Sequence, residues 1–309
     1  MKPYILAVSP LCFVITGCST LEQYKLIRSY EITLADSSAS DTTVTNIRAN
    51  RDSQGRQAVL LSAFYGLDDG LPSVSDFGIC EGAGGKDGMP VIFSHEIDVS
   101  TMQAGDFRVT TASGRIGEIT CVTLAPADDK GEFRTALFAG DYGSIDDQPV
   151  KVEVIGNLLS IDKSLNYRGA SVDVIPLEDG PTMIWTEVVP ENEWELGKAA
   201  TPLPWGGGCG CPVGTKQVVR ITWAGGVTKP GGDEVDDMER LKYKVTVLLE
   251  DSSTIDVTPF ALGDLGDGDN NHKLCLDVVG KPQAVFFPAG YVTDPREDLN
   301  PNSTITIPE

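Results

Sequence analysis

Apolar and polar residues alternate along many short segments of this chain, most clearly from residue 90 onward. Val91-Ile-Phe-Ser, Phe107-Arg-Val-Thr-Thr and Val150-Lys-Val-Glu-Val-Ile each follow a period of two. That period places alternate side chains on opposite faces of a strand, so that one face is buried and the other is solvated. Amphipathic helical segments longer than about two turns are not evident. The pattern therefore predicts an all-β chain with many turns.

The predicted strands form two groups on either side of a charged, proline-containing segment at residues 191–205. The first group lies at residues 27–34, 43–47, 59–64, 91–94, 107–111, 119–124, 133–138, 150–155 and 172–175. The second group lies at residues 217–223, 242–249, 255–259, 273–278, 284–287 and 304–307. Short strands with turn residues between them are typical of β-sandwiches.

Two neighbouring segments of the first group carry a family resemblance. Pro90-Val-Ile-Phe-Ser-His-Glu-Ile-Asp98 is followed by Ser100-Thr-Met-Gln-Ala-Gly-Asp-Phe-Arg-Val109. The pair is similar to bacterial Ig-like modules of surface proteins, which open with aliphatic-x-Phe-Ser-x-x-aliphatic-Asp and continue with Asp-Phe-x-Val. The resemblance covers residues 87–188 and departs from the pattern at His95. It implies a sandwich that serves as a spacer or an adhesive unit.

The predicted fold is two Ig-like, Greek-key β-sandwich units behind an N-terminal tether. We assign an N-terminal β segment to residues 27–80, an Ig-like sandwich to 81–190, a linker to 191–205 and a C-terminal β domain to 206–309. An alternative pairs residues 27–80 with the C-terminal region, with the Ig-like unit inserted between them. The sequence shows no internal repeat, although the two halves could share an architecture.

The first 18 residues, MKPYILAVSPLCFVITGC, resemble a bacterial lipoprotein signal peptide. Lys2 precedes an apolar run that ends in the lipobox Ile15-Thr16-Gly17-Cys18. The run is short for the ~20 residues that span a bilayer. An ordinary secretory signal and a transmembrane anchor are the alternatives.

The lipobox resemblance implies removal of residues 1–17 and a lipid on Cys18, followed by a tether over residues 18–26. The expected location is then the bacterial envelope, with the lipid bilayer as a partner. Ser19 follows the cysteine where aspartate would favour the inner membrane, so the outer membrane is preferred.

The chain is strongly acidic, with 45 acidic and 24 basic side chains and a formal net charge of −21. This charge argues against nucleic acid as a partner, because nucleic-acid binding depends on Lys and Arg contacts to phosphates. An acidic surface keeps a secreted protein soluble, and it also favours the binding of cations.

Five cysteines remain after the signal peptide and the lipidated Cys18 are set aside: Cys80, Cys121, Cys209, Cys211 and Cys275. Disulfides are expected in an oxidising compartment. We predict a Cys80–Cys121 bridge and a second bridge from either Cys209 or Cys211 to Cys275. The odd number leaves one thiol free or paired between molecules.

The segment Gly263-Asp-Leu-Gly-Asp-Gly-Asp-Asn-Asn-His272 offers the most candidate ligands. Its hard oxygen donors are those of Asp264, Asp267, Asp269 and Asn271. Calcium prefers such oxygens, so this loop is the predicted calcium site. It is not an EF-hand, because Val278 occupies the place of the required glutamate. A plain solvated turn and a transition-metal site that uses His272 are the alternatives.

Catalytic motifs are not evident, and the sequence contains only two histidines, His95 and His272. Trp194 and Trp205, in the linker-like segment, are candidates for a binding surface, whereas Trp185 and Trp223 fit core positions on strands. The leading hypothesis is an envelope-anchored, non-enzymatic interaction or structural module with an unknown envelope protein or glycan partner. The alternatives are a metal-assisted or carboxylate-dependent hydrolase of the envelope and a lipoprotein that carries a small ligand.

Overall fold

A computed structural model describes residues 41–201 and 207–308. Every described residue belongs to one compact unit. The predicted signal peptide, Cys18, the predicted tether, the predicted strand at 27–34 and Trp205 lie outside the described residues. Among the described residues, no helix has the length and apolar character that a membrane span requires.

The first sandwich is built from seven strands, which confirms the all-β prediction. They are β1 (Leu60–Phe64), β2 (Asp87–Phe93), β3 (Phe107–Thr111), β4 (Glu118–Thr123), β5 (Thr135–Asp141), β6 (Pro149–Val154) and β7 (Ser171–Ile175). Their order is β3-β6-β7-β1-β2-β5-β4, and only the β1–β7 pair is parallel. With strands lettered A to G along the chain, this order places A-B-E-D beside G-F-C, as in a seven-stranded immunoglobulin-type sandwich.

The alternation in these strands directs large apolar side chains into a single core. Phe93, Phe107 and Phe138 are buried there, with the Phe107 and Phe138 rings 4.5 Å apart. Phe93 also meets Tyr167 edge to face, with ring centroids 5.1 Å apart. Burial of each such ring contributes roughly 1.5–3 kcal/mol, so this cluster fixes how the two faces pack.

The second sandwich has eight strands in two four-stranded sheets. They are β8 (Met183–Val188), β9 (Gln217–Trp223), β10 (Lys244–Leu248), β11 (Thr254–Val257), β12 (Ala261–Gly263), β13 (Asn271–Leu276), β14 (Lys281–Phe287) and β15 (Ser303–Thr306). The sheet orders are β8-β9-β13-β12 and β15-β14-β10-β11. In the same lettering, the first of these sheets is A-B-E-D and the second is G-F-C, with β11 as an extra strand beside strand C, which is β10. The two halves thus share one architecture without a sequence repeat.

The helices of the described chain are short. They are α1 (Ser75–Gly78), α2 (Asp237–Arg240) and the 3-10 turns Val99–Thr101, Ala104–Asp106 and Glu191–Glu193. Asp236 begins α2 by accepting a hydrogen bond from the Met238 amide, and the Glu239 carboxylate accepts a hydrogen bond from the Asp236 amide.

Strands β9 and β13 are buried on both faces. Val219, Ile221 and Trp223 of β9 point into the core of the second sandwich. The alternate residues point the other way, and among them Arg220 lies opposite Lys273 of β13. Both of these charged side chains are buried, because the first sandwich covers this face.

The predicted domain boundaries are misplaced. Strand β8 pairs with β9, so the second sandwich begins before the predicted linker, and residues 176–182 form the actual connection. Residues 191–201 pack against the second sandwich instead of separating two domains. Strand β1 pairs with β2 and β7, which contradicts the alternative in which residues 27–80 join the C-terminal domain.

Most predicted strands agree with observed ones to within a few residues, but residues 43–47 form no strand. Side chains of the first sandwich, and not a neighbouring strand, form hydrogen bonds to this segment. Asn166 donates through Nδ2 to the Ile47 carbonyl, 3.0 Å away, and Gln103 donates to Thr43 Oγ1. The short β12 was not predicted. Its three residues lie in a glycine-rich region, where the pattern is too brief to indicate a strand.

Candidate functional site

The richest group of charged side chains lies where the two sandwiches meet. The first sandwich contributes the β4–β5 loop, which contains Asp129 and Glu132. The second sandwich contributes the outer faces of β9 and β13 and the β12–β13 loop, with Asp264, Asp267 and Asp269. We refer to this region as the junction.

Arg220 is the principal direct link across the junction. Its side chain is buried, and its Nη atoms donate to the backbone carbonyls of Gly131 at 2.5 Å and Lys130 at 3.0 Å. Nη1 also donates to Glu187, 2.8 Å away on the neighbouring strand β8. Gly131 has φ +90°, and a Cβ there would lie 2.2 Å from Arg220 Nη1. Glycine at position 131 thus leaves room for the guanidinium where it lies, and the positive φ favours glycine there as well.

Lys273 is the second buried cation of the junction. Its Nζ donates to Asp264 Oδ1 at 3.0 Å and lies 3.7 Å from a carboxylate oxygen of Glu195. A charged side chain this deep needs a partner, because desolvation disfavours an isolated ion strongly. The Lys273–Asp264 pair supplies that partner within the second sandwich.

Glu132 is fully buried and reaches this pair from the first sandwich. Neither of its carboxylate oxygens accepts a hydrogen bond from a nitrogen or hydroxyl donor of the described residues, so the hydrogen bond open to Glu132 is the one that its protonated form donates to Asp264. The nearest cationic atoms, Arg220 Nε and Lys273 Nζ, are each 3.9 Å from Oε1, which is too far for a hydrogen bond. Asp264 Oδ2 and Asp267 Oδ1 are likewise buried without such a donor in the described chain.

The carboxylates converge on one small volume. Ligand atoms of Asp129, Glu132 and Asp264 lie within 4.8 Å of one another. Asp267 lies beside them: a Cβ on Gly208 would be 2.4 Å from Asp267 Oδ2, and the Gly208 amide donates to Asp129 Oδ2 at 2.9 Å. We call Asp129, Glu132, Asp264 and Asp267 the junction carboxylates.

Burial and mutual repulsion shift the pKa values of this group. Burial, followed by the charge of Asp264, raises the pKa of Glu132 well above its usual range and that of Asp267 to about 8. Burial acts on Asp264 in the same direction, but hydrogen bonding to Glu132 and the charge of Lys273 outweigh it and lower its pKa. Asp264 therefore keeps its charge while Glu132 resists ionisation.

The structure brings together only part of the predicted calcium ligand set. Asp264 and Asp267 face the junction, as described above. Asp269 accepts hydrogen bonds from the backbone amide and Nδ2 of Asn271, while Asn271 Oδ1 accepts from Thr222 at 2.7 Å. Asn271 is therefore engaged in joining β13 to β9. Sequence reasoning missed Asp129 and Glu132, which lie more than a hundred residues earlier in the chain.

A second acidic group, Asp68, Asp69 and Asp87, has a different character. Asp87 accepts hydrogen bonds from the backbone amides of Asp69, Tyr142 and Gly143, and both oxygens of Asp68 also have donors. Backbone amides thus satisfy the hydrogen-bonding capacity of the buried Asp87 carboxylate, so the group stabilises a turn of the first sandwich.

The two histidines do not share a site. His272 is buried in the second sandwich, where its Nδ1 lies 2.7 Å from Tyr243 Oη and burial lowers its pKa to about 4. His95 is half-buried in the first sandwich, with its Nδ1 2.9 Å from Ser94 Oγ. His272 is accordingly neutral near pH 7.

Trp194 is not an exposed binding residue, and that prediction is wrong. Its ring is only 9% exposed, and Nε1 donates to the Val189 carbonyl at 2.9 Å. Sequence reasoning assigned it to a linker, whereas the segment folds back onto β9. Trp185 of β8 lies at the junction, where the Arg134 guanidinium stacks 3.3 Å from its ring centroid.

Both predicted disulfides are confirmed. Cys80 is bonded to Cys121 in the first sandwich, and Cys211 to Cys275 in the second. Cys209 is the free thiol among the described residues. Its backbone is paired with the β12–β13 loop, because the Asp264 amide donates to the Cys209 carbonyl.

A cavity of about 180 Å³ lies between the two sandwiches and is lined by Asp269 but by none of the junction carboxylates. Apolar side chains of the first sandwich, including Phe64 and Leu137, line one side. Gly225, Asp269 and Pro295 of the second sandwich close the other. Both sandwiches thus contribute to its walls.

No protein-family model matches the sequence, and a search of curated proteins finds no relative. Two solved structures show a low similarity. The N-terminal part of the bacterial S-layer protein SbsC has 12% identity and a TM-score of 0.27, with 82% of this chain and 44% of that chain covered. Domains 1-6 of SbsC give 10% identity and a TM-score of 0.18, with 82% and 40% covered. This chain thus spans less than half the length of either structure.

Proposed function

We propose that this protein is a structural or interaction module of the bacterial envelope, in which two Ig-like sandwiches act as one rigid support. The observation that carries the proposal is the junction, where Arg220 of β9 is buried against backbone carbonyls of the first sandwich. Bending the two units apart would break the hydrogen bonds of Arg220 to both carbonyls, and a hydrogen bond to a charged group contributes about 1.5–3 kcal/mol. A support gains stiffness from such a contact.

The anchor in this proposal is the lipid on Cys18. The sequence Ile15-Thr16-Gly17-Cys18 supports it, and Ser19 favours the outer membrane over the inner one. Each buried methylene contributes about 0.8 kcal/mol, so more than one acyl chain makes the attachment essentially permanent. The partner carried by the support is an envelope protein or a glycan.

A hydrolase of the envelope is the second candidate. The raised pKa values of Glu132 and Asp267 favour it, because catalytic carboxylates often have such shifts. Burial counts against it: Glu132 is 0% exposed and Asp264 is 1% exposed, which leaves no approach for a polymeric substrate. Structural ion pairs shift pKa values by the same physics, so burial decides the preference.

The anchor is tested by expressing the full-length protein and its Cys18→Ser variant in a bacterium supplied with labelled palmitate. We expect label and membrane fractionation for the wild type, and neither for Cys18→Ser, which lacks the acceptor thiol. Equal labelling of the two proteins, or equal retention of both in the membrane fraction, would contradict the proposal.

The absence of enzymatic activity is tested on the same purified protein with peptidoglycan and peptide substrates, with and without added calcium or zinc. The proposal expects no cleavage above a blank preparation. Cleavage that disappears in Glu132→Gln would establish the hydrolase instead. This substitution keeps the side-chain volume and removes the charge.

A further inference from the structure

The buried part of the junction contains more negative than positive charge. Its seven charged side chains that are less than a tenth exposed are four carboxylates and three cations, namely Glu132, Asp264, Asp267, Asp269, Arg134, Arg220 and Lys273. Glu187, which lies near both Arg220 and Arg134 and is partly buried, brings the surplus to two negative charges. Two unbalanced negative charges in a desolvated region are strongly unfavourable unless a cation or protons neutralise them.

The hydrogen bonds of the junction are also incomplete. When the carboxyl groups are ionised, both oxygens of Glu132, Oδ2 of Asp264 and Oδ1 of Asp267 are buried acceptors that no nitrogen or hydroxyl donor of the described chain reaches. Each such acceptor costs about 1–3 kcal/mol, and a charged one costs more. The second acidic group shows the contrast, because the backbone satisfies Asp87 there completely. The junction carboxylates thus have free lone pairs that converge from both sandwiches.

The spacing fits a metal ion. Oxygens bound to one calcium at 2.3–2.6 Å can be up to about 5 Å apart across the ion. The ligand atoms of Asp129, Glu132 and Asp264 lie within 4.8 Å of one another. Gly208 keeps the space open, because a side chain there would contact Asp267 at once.

We infer that the junction carboxylates bind one calcium ion shared by the two sandwiches. The ion's two positive charges offset the surplus of the buried group, and its coordination satisfies oxygens that no donor reaches. Calcium is preferred over magnesium because magnesium usually keeps several waters, whereas this site supplies many protein carboxylates. The inference goes beyond the proposed function and is independent of the lipid anchor, so either can fail without the other.

The test measures calcium binding to chelator-stripped, full-length protein by titration calorimetry and by thermal unfolding. We expect one site per chain with a dissociation constant of about 10⁻⁴ M or tighter. Saturating calcium should raise the unfolding midpoint by about 5 °C, since the ion binds only the folded state. Magnesium should bind more weakly.

Two neutral variants and one control locate the site. Glu132→Gln and Asp267→Asn should each weaken calcium binding at least tenfold and remove the thermal shift, with unchanged far-UV circular dichroism. Asp69→Asn, in the second acidic group, should bind as the wild type does. The inference is overturned if stripped wild type shows neither binding heat nor a thermal shift, or if magnesium binds more tightly. It is equally overturned if both junction variants retain wild-type affinity.

Discussion

At the scale of single residues, the junction depends on side chains whose partners belong to the other sandwich. Arg220 lies in the middle of β9 and donates to Gly131 and Lys130 of the first sandwich. Its planar guanidinium serves these carbonyls and Glu187 together, which a lysine could not do from the same position. Gly131 provides the room that this arrangement needs.

Gly131→Ala should therefore destabilise the protein. The new Cβ would meet Arg220 at 2.2 Å, and φ of +90° adds backbone strain. We expect the free energy of unfolding to fall by about 3 kcal/mol or more, as measured by urea denaturation, because the clash displaces a buried charge.

Gly55→Ala is the matched control for that prediction. Gly55 has φ +87° with nothing within 4 Å of a built Cβ, so it reports the backbone strain alone. That strain should cost about 1 kcal/mol. Equal losses for the two variants would show that the contact with Arg220 contributes nothing.

Asp106 gives a prediction about pH in the first sandwich. Burial, with a contribution from the charge of Asp41, raises its pKa from 3.8 to about 7. Between these values the folded state binds a proton that the unfolded state lacks, so this group makes stability fall as pH rises through the window. Asp106→Asn removes the titration. The variant should be more stable than wild type at pH 8 and nearly equal to it at pH 4, by thermal unfolding. A variant less stable than wild type at both pH values would refute the assignment.

At the scale of elements, alternation along the chain was sufficient to predict most strands but not what covers them. Alternate residues of β9 point into the core of the second sandwich. The residues between them, which include Arg220, would ordinarily face solvent. Only the first sandwich makes that outer face an interior. The usable signal was a pair of charged residues, Arg220 and Lys273, each of which lies within a predicted strand.

The candidate site was only half predictable for a related reason. Asp264 and Asp267 lie in an obvious acidic loop, whereas Asp129 and Glu132 lie in the β4–β5 loop, where acidic and basic residues alternate as in many solvated loops. Sequence spacing locates ligands within one loop, but long-range packing decides which other loop they meet. The predicted linker failed similarly, because the charged segment that contains Trp194 folds back onto β9.

Removing the disulfide of the second sandwich should be costly. Cys211 and Cys275 are separated by 64 residues, and closing such a loop contributes about 4 kcal/mol in the chain-entropy model. The double variant Cys211→Ser/Cys275→Ser should lose about that much free energy of unfolding in urea. Cys209→Ser is the control and should change little, since Cys209 forms no disulfide. A loss below about 1 kcal/mol in the double variant would contradict the prediction.

At the scale of the whole molecule, one strand order is used twice and the copies are joined closely. Leu177 in the short connection is buried in the first core, and Met183 soon after it is buried in the second. The contact between the two sandwiches contains the buried charged side chains of the junction and the Arg134–Trp185 stack. It also contains a cavity that is lined by residues of both sandwiches. The net charge of −21 keeps such a body soluble.

The central claim is that the two sandwiches behave as one body, and differential scanning calorimetry of the full-length protein tests it most directly. A junction with buried ion pairs couples the units, so we predict a single transition whose calorimetric and van't Hoff enthalpies agree. Arg220→Met should lower the midpoint of this transition or split the transition into two. Two separate transitions in the wild type, with midpoints unmoved by Arg220→Met, would show that the sandwiches unfold independently and would contradict the account.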